Sequence, residues 1–300
     1  TLAGHPGSGK TTAASTLAKG LGLVDSNKHV HIQVQRGWTS DKDLLGFENR
    51  LTQLYEKDRY GFYELLRKLQ NAEHEDSMAI VTLDEANLSP LEYYFSSFMG
   101  SFDDRSKFFT AGEKLALPAG LRFIATVNND RTTEVLSDRF LDRSPVLVAK
   151  SLSGDPFDAS FSDTNITQDY EEFSFDQVSQ LFLCNIEDPL NLAEKRVLST
   201  IRDEYQILPI EKRKYKAIAQ FTAIGRGLLN EASEKNESFQ MKALDEAILT
   251  FLLPKISGQG HEYREELNRL SSFLEKNDLI ESSTAINSII RASRYETFSF

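Results

Sequence analysis

The chain predicts an α/β fold, a doubly wound parallel sheet around a phosphate-binding loop, followed by an all-α domain. Three observations predict it. A glycine-rich stretch, "GHPGSGKTT" from Gly4 to Thr12, opens the chain and runs into an Ala-rich segment. Short apolar, β-rich runs then alternate with helical segments as far as Lys150, the pattern of a parallel sheet with crossover helices. Beyond a polar stretch, 151–172, nearly everything up to Phe300 has helical period. The domains expected are therefore 1–150, a nucleotide-binding core; 151–172, a linker or insertion; and 173–300, a helical lid.

Each element has a local reason. Residues Thr1, Leu2 and Ala3 form the end of a first strand, and a chain that starts inside its own first strand, without Met, is expected to be part of a longer polypeptide. "KTTAASTLAKGLG" is Ala-rich, has Leu17 and Leu21 one turn apart, and ends in glycine, so a helix follows the loop. "HVHIQVQ" (His29 to Gln35) alternates and predicts a strand, with its two histidines on one face. "YGFYELLRKLQNA" and the aromatic "EYYFSSFMGSF" predict helices. "AIVTLDEA", "LRFIATVNN" and "SPVLVAK" predict buried parallel strands. "SLSGDPFDASFSDTNITQDYEE" is acidic and rich in turn formers, which marks the linker.

The opening loop fits G-x-x-x-x-G-K-[ST] with Gly4, Gly9, Lys10 and Thr11 at the fixed positions. Roughly one chain of this size in a hundred would match by chance. Glycines let the backbone curl so that successive N–H groups face phosphate oxygens, and a helix starting at the loop adds its positive end. Gly4, His5, Pro6, Gly7, Ser8, Gly9, Lys10, Thr11 and Thr12 are thus the expected nucleotide-binding residues. Lys10 is placed for the β/γ-phosphates and the Thr11 hydroxyl for Mg²⁺.

Asp84 ends the apolar run "IVTLD", where it is placed to hold Mg²⁺, and Glu85 next to it is placed to polarise a water. A solvated strand end is the plain alternative for this pair, but the loop upstream favours the functional reading. Asn128 ends a strand expected beside the acidic one, where its amide could orient that water; an Asn opening a turn is the alternative. Arg139 and Arg143 lie four residues apart on one helix face. They are either surface ion-pair residues or candidates for reaching a neighbouring subunit's phosphate.

In order and in wording these segments resemble AAA+ ATPases of the helix-2-insert group, which includes McrB-type restriction NTPases, MoxR-type ATPases, dynein and midasin. "GHPGSGKTT" is similar to their Walker A, "IVTLDEANLSPLEYYFSSFM" to Walker B, and "TVNNDRTTEVLSDRFLDR" to their sensor 1 and arginine-finger region. "WTSDKDLLGF" is similar to a W-T-x-x-x-D-L-L-G-type segment, and "ALDEAILTFLLPKISG" to the lid helix. The resemblance covers nearly the whole chain. It implies Asn128 as sensor 1 and Arg143, then Arg139, as the finger. It implies an arginine near the start of a lid helix as sensor 2, with Arg213 first and Arg226 second. It also implies a homo-oligomeric ring, hexameric in the family, that remodels or translocates a partner, with a nuclease partner subunit in a DNA restriction or defence setting. "NNDR" where McrB GTPases carry an "NTAD"-like stretch, together with His5 in the loop, favours ATP over GTP.

Composition narrows the remaining classes. A net charge of −11 and a pI near 5.1 argue against a broad nucleic-acid-binding surface, leaving only a narrow basic strip for DNA. The longest apolar run, "AILTFLLP", is far too short to span a bilayer. One cysteine, Cys184, permits no internal disulfide and fits the cytoplasm, and its setting in "LFLC" predicts a buried position. Five histidines lack metal-site spacing, so no zinc is expected. Two other functional classes stay open. One is a nucleotide-gated interaction switch, or a MoxR-like chaperone, with slow turnover. The other is a P-loop kinase, which has no need of the Asp-Glu pair, Asn128 or a lid.

Overall fold

The computed structural model describes residues 1–103, 108–111, 113–128, 133–149, 170–182, 189–232, 241–293 and 297–299. Most of the expected linker, the "NDR" part of "NNDR" and Cys184 lie outside these residues. The described chain divides into two units, one of residues 1–143 and 147–181 and one of residues 144–146 and 182–300.

The first unit opens with β1 (Leu2–Gly4), α1 (Lys10–Gly20), β2 (His29–Gln33), α2 (Lys42–Leu45), β3 (Gly46–Asn49), β4 (Leu54–Lys57) and α3 (Phe62–Lys68). It continues with β5 (Ala79–Asp84), α4 (Leu91–Tyr94), α5 (Ser96–Asp103), β6 (Phe108–Ala111), β7 (Glu113–Ala116) and β8 (Leu121–Asn128). After α6 (Asp138–Leu141) and β9 (Leu147–Val148), α7 (Phe175–Leu181) closes the unit. Five strands form one parallel sheet in the order β2-β5-β8-β1-β9. Chain order therefore reverses at β1, and β8 separates the loop-bearing strand from the acidic one. Open sheets of this type bind ligands at the carboxyl ends of the strands, beside such a reversal.

Strand periodicity sorts the side chains into two layers. Ala79, Val81 and Leu83 of β5 join Leu121, Ala125 and Val127 of β8 in the larger core, against Phe62, Leu66 and Phe98 from α3 and α5. Ile80 and Ile124 face the opposite way, toward Ala18 of α1 and Phe175 and Val178 of α7. Helices thus cover both faces, and Thr82, Asp84, Thr126 and Asn128 share the parity of the α1 face. On α1 the buried positions are Lys10, Ala14 and Ala18, whereas Leu17 is half exposed. The contact face is the small-residue one, with Leu21 packed at its end and Leu17 outside it.

Three local features differ from the sequence reading. The segment "SPVLVAK" yields a strand of two residues, and both Leu147 and Val148 are exposed, since β9 is a sheet edge with a neighbour on one side only. The aromatic helix is broken at Phe95 into α4 and α5. Two antiparallel hairpins, β3–β4 and β6–β7, interrupt the α/β alternation.

The second unit contains α8 (Leu192–Glu204), α9 (Lys212–Ala232), α10 (Lys242–Phe251), β10 (Ser257–Gln259), α11 (His261–Lys276), α12 (Ile280–Ala292) and β11 (Thr297–Ser299). Its core is built from Leu198, Ile201, Leu244, Ile248, Leu270 and Ile286. Asn191 starts α8 with a reciprocal cap, accepting the Glu194 N–H while the Glu194 carboxylate accepts the Asn191 N–H. Among its described residues the regular elements are helices apart from the short β10–β11 ribbon, which the helical period had hidden. Helix α7 packs with the first unit instead of opening the second.

Candidate nucleotide-binding site

The site lies at the carboxyl ends of β1, β5 and β8. Gly4 ends β1 beside Asn128 of β8, and the loop from His5 to Ser8 folds back through a Ser8 N–H to His5 carbonyl bond of 3.2 Å. A side chain at Gly4 would sit 2.9 Å from Ser8 Oγ and 3.0 Å from the Ala149 carbonyl, so only glycine allows the loop to leave the sheet this tightly. Gly9 takes φ 79° as the residue before α1, a left-handed turn that lets Lys10 and Thr11 enter the helix directly. His5, Pro6, Gly7, Gly9 and Thr12 are exposed and Ser8 is half-buried.

Lys10 is buried, and its Nζ donates to the carbonyls of Gly4 at 2.9 Å and His5 at 2.7 Å and to Ser8 Oγ at 3.3 Å. Burial pushes the Lys10 ammonium below its usual pKa, while Asp84 and Glu85 pull it back up. The cation is thus held inside the loop with two carboxylates nearby.

Asp84 gathers three elements. Its Oδ1 accepts from Thr11 Oγ1 of α1 and from Thr126 Oγ1 of β8, each at 2.6 Å. His31 of β2 places Nε2 3.6 Å from Oδ2. His31 and His29 do share one strand face, and His29 Nε2 lies 3.0 Å from Thr82 Oγ1. The oxygen set of Thr11 and Asp84 suits Mg²⁺, a hard cation that prefers oxygen ligands and retains several waters. These two side chains would hold it, and once bound it would neutralise charge on the β- and γ-phosphates.

Glu85 follows with φ 52° and ψ 43°, a left-handed conformation that non-glycine residues adopt at a cost. This turn carries its side chain out of the strand alternation and toward β8, where Asn128 Nδ2 lies 3.4 Å from Glu85 Oε1. Asn87 braces the arrangement. Its Nδ2 donates to the Asn128 and Glu134 carbonyls at 2.8 and 3.2 Å, and its Oδ1 accepts the Asn128 N–H at 3.2 Å. Thr126, Asn87 and His31 escaped the sequence reading because their contacts depend on strand register. Thr126 alone carried a visible signal, a polar residue inside an apolar run.

The structure therefore brings together Gly4, Lys10, Thr11, Asp84, Glu85 and Asn128. The arginines are placed otherwise. Arg139 lies on α6 and Arg143 just beyond it, with its guanidinium donating to the Arg139 carbonyl at 2.8 Å. Arg213 is exposed on the first turn of α9. Arg226, further along α9, ion-pairs with the fully buried Glu194 and donates to the Pro189 carbonyl at 2.8 Å. A structural role thus accounts for Arg226, the second choice for sensor 2.

Comparison with known proteins agrees with this geometry at the level of the fold. A crystal structure of a "putative ATPase" from Cytophaga hutchinsonii superposes with a TM-score of 0.57 and 17% identity, over 92% of this chain and 83% of that one. The likeness is one of fold, an α/β sheet with a helical part. Residues 174–298 match a domain of unknown function, DUF8727. No curated protein matches the chain. Among the described residues no helix is long and apolar enough to cross a membrane.

Proposed function

We propose that the chain is the nucleotide-hydrolysing module of a AAA+ ring, cleaving ATP, with GTP as the alternative, in the presence of Mg²⁺. The observation that carries this reading is the convergence at one sheet edge of a loop lysine, a hydroxyl–carboxylate pair and a second carboxylate facing an amide. A phosphate-binding loop alone would serve a kinase equally well. A carboxylate aimed by a left-handed turn and met by Asn128 is what hydrolysis needs. Glu85 takes the proton of the attacking water, Asn128 orients that water, and Lys10 exchanges the loop carbonyls for phosphate oxygens.

By family resemblance the module works as a cytoplasmic, McrB-like ring, with Arg143 supplied to the neighbouring subunit and a nuclease partner acting on DNA. Chain remodelling or translocation is the output. The test is the rate of ATP hydrolysis per subunit as protein concentration rises. The rate per subunit should climb with assembly and then level off. A rate that stays low and flat would replace this reading with a nucleotide-gated switch, and turnover that requires an acceptor would replace it with a kinase.

A further inference from the structure

Asp84 and Glu85 have different tasks, yet a single hydroxyl engages both. Thr126 Oγ1 donates to Asp84 Oδ1 at 2.6 Å and accepts the backbone N–H of Glu85 at 2.9 Å. A hydroxyl has one proton and two lone pairs, so this pairing uses it as donor on one side and acceptor on the other. Thr126 is 1% exposed, and its side chain lies on the α1 face of β8. Packing does not require the hydroxyl there, because valine has nearly the same shape and suits a strand equally well.

Two features give the hydroxyl its consequence. Asp84 Oδ1 takes a second hydrogen bond from Thr11, which is also the residue expected to turn toward the metal. Thr126 therefore supplies the hydrogen bond to Asp84 Oδ1 that does not compete with that task, while His31 stands off at 3.6 Å from Oδ2. Glu85 sits at φ 52°, and a conformation of this kind persists only where its surroundings fix it. The bond from its N–H to Thr126 supplies such a fixture at the residue whose direction matters most.

We propose that Thr126 is a positioning residue for hydrolysis, its hydroxyl setting at once the orientation of Asp84 and the turn that aims Glu85. The proposal rests on the hydrolase reading above. Partners that orient a metal-holding group typically change metal affinity or activity on the order of 10- to 100-fold when removed.

The test compares the unaltered chain with Thr126→Val, Thr126→Ser and Glu85→Gln. Four quantities are measured: melting temperature, affinity for a fluorescent ATP analogue in EDTA, the Mg²⁺ concentration for half-maximal tightening of that analogue, and kcat. Thr126→Val should keep its affinity in EDTA within about twofold, because the loop is untouched. It should need more Mg²⁺ for tightening and lose kcat roughly 10- to 100-fold. Thr126→Ser, which keeps the hydroxyl, should recover both. The proposal is overturned if the valine variant leaves the Mg²⁺ requirement and kcat unchanged, or if its losses follow a lowered melting temperature and serine fails to restore them. Failure of the hydrolase reading looks different: the unaltered chain would hydrolyse no nucleotide, or Glu85→Gln would turn over at its rate, and the proposal would fall with it.

Discussion

Glu85 is the residue whose conformation and chemistry are most closely joined. Its left-handed turn takes the carboxylate out of the strand and toward Asn128, and glutamine can occupy the same turn with the same shape. Glu85→Gln should therefore bind nucleotide with unchanged affinity and hydrolyse it on the order of 10²–10⁴-fold more slowly, since an amide accepts no proton from water. Single-turnover hydrolysis together with an equilibrium binding curve measures both halves, and an unchanged rate would remove Glu85 as the base. Lys10, Thr11, Asp84 and Glu85 could be singled out in the sequence because a loop motif and an acidic pair after an apolar run are local patterns along the chain. Thr126 and Asn87 were not, because they act across strands. The pairing of β8 with β5 was expected, but the hydrogen bonds that make Asn87 a brace for Asn128 depend on the turn after β5, which no spacing along the chain gives.

At the scale of elements, alternation located β2, short apolar runs located β5 and β8, and helical period located the described helices of the second unit, where one apolar face is buried over several turns. These patterns failed where pairing or breakage decides. The β3–β4 and β6–β7 hairpins and the β10–β11 ribbon are short and held by partner strands, so their own pattern is too brief to read. Helices α8 and α9 show a further effect that sequence could not rank. The Arg226 guanidinium is mostly buried against Glu194, itself fully buried, and this pair joins the two helices. Arg226→Ala should leave that carboxylate without its cation and destabilise the second unit by about 3 kcal/mol, toward the low end for broken buried pairs because the Asn191 N–H bond to Glu194 remains. Thermal unfolding checks this. An unchanged melting curve combined with weakened nucleotide binding would return Arg226 to the sensor role.

For the whole molecule, the question is whether one chain contains a complete site. The first unit brings the loop, both carboxylates and Asn128 to one edge, while the Arg143 guanidinium donates to the Arg139 carbonyl beside α6. An arginine that completes a neighbour's site contributes roughly 10³–10⁵-fold in P-loop enzymes that use one. If Arg143 acts in that way, Arg143→Ala should keep nucleotide affinity and lose hydrolysis by a factor of that order. Lys10→Ala should lose the pocket but keep its arginine. Each variant alone is then inactive, yet in a mixed assembly the intact pocket of one meets the intact arginine of the other. Hydrolysis measured against mixing ratio should rise to a maximum near equal proportions. An arginine acting within its own subunit, or one that only holds α6 in place, predicts a flat line at the level of the separate variants. Repeating the titration with Arg139→Ala tests the neighbouring arginine by the same logic, since only the residue that crosses between subunits can be supplied by a partner whose own pocket is dead.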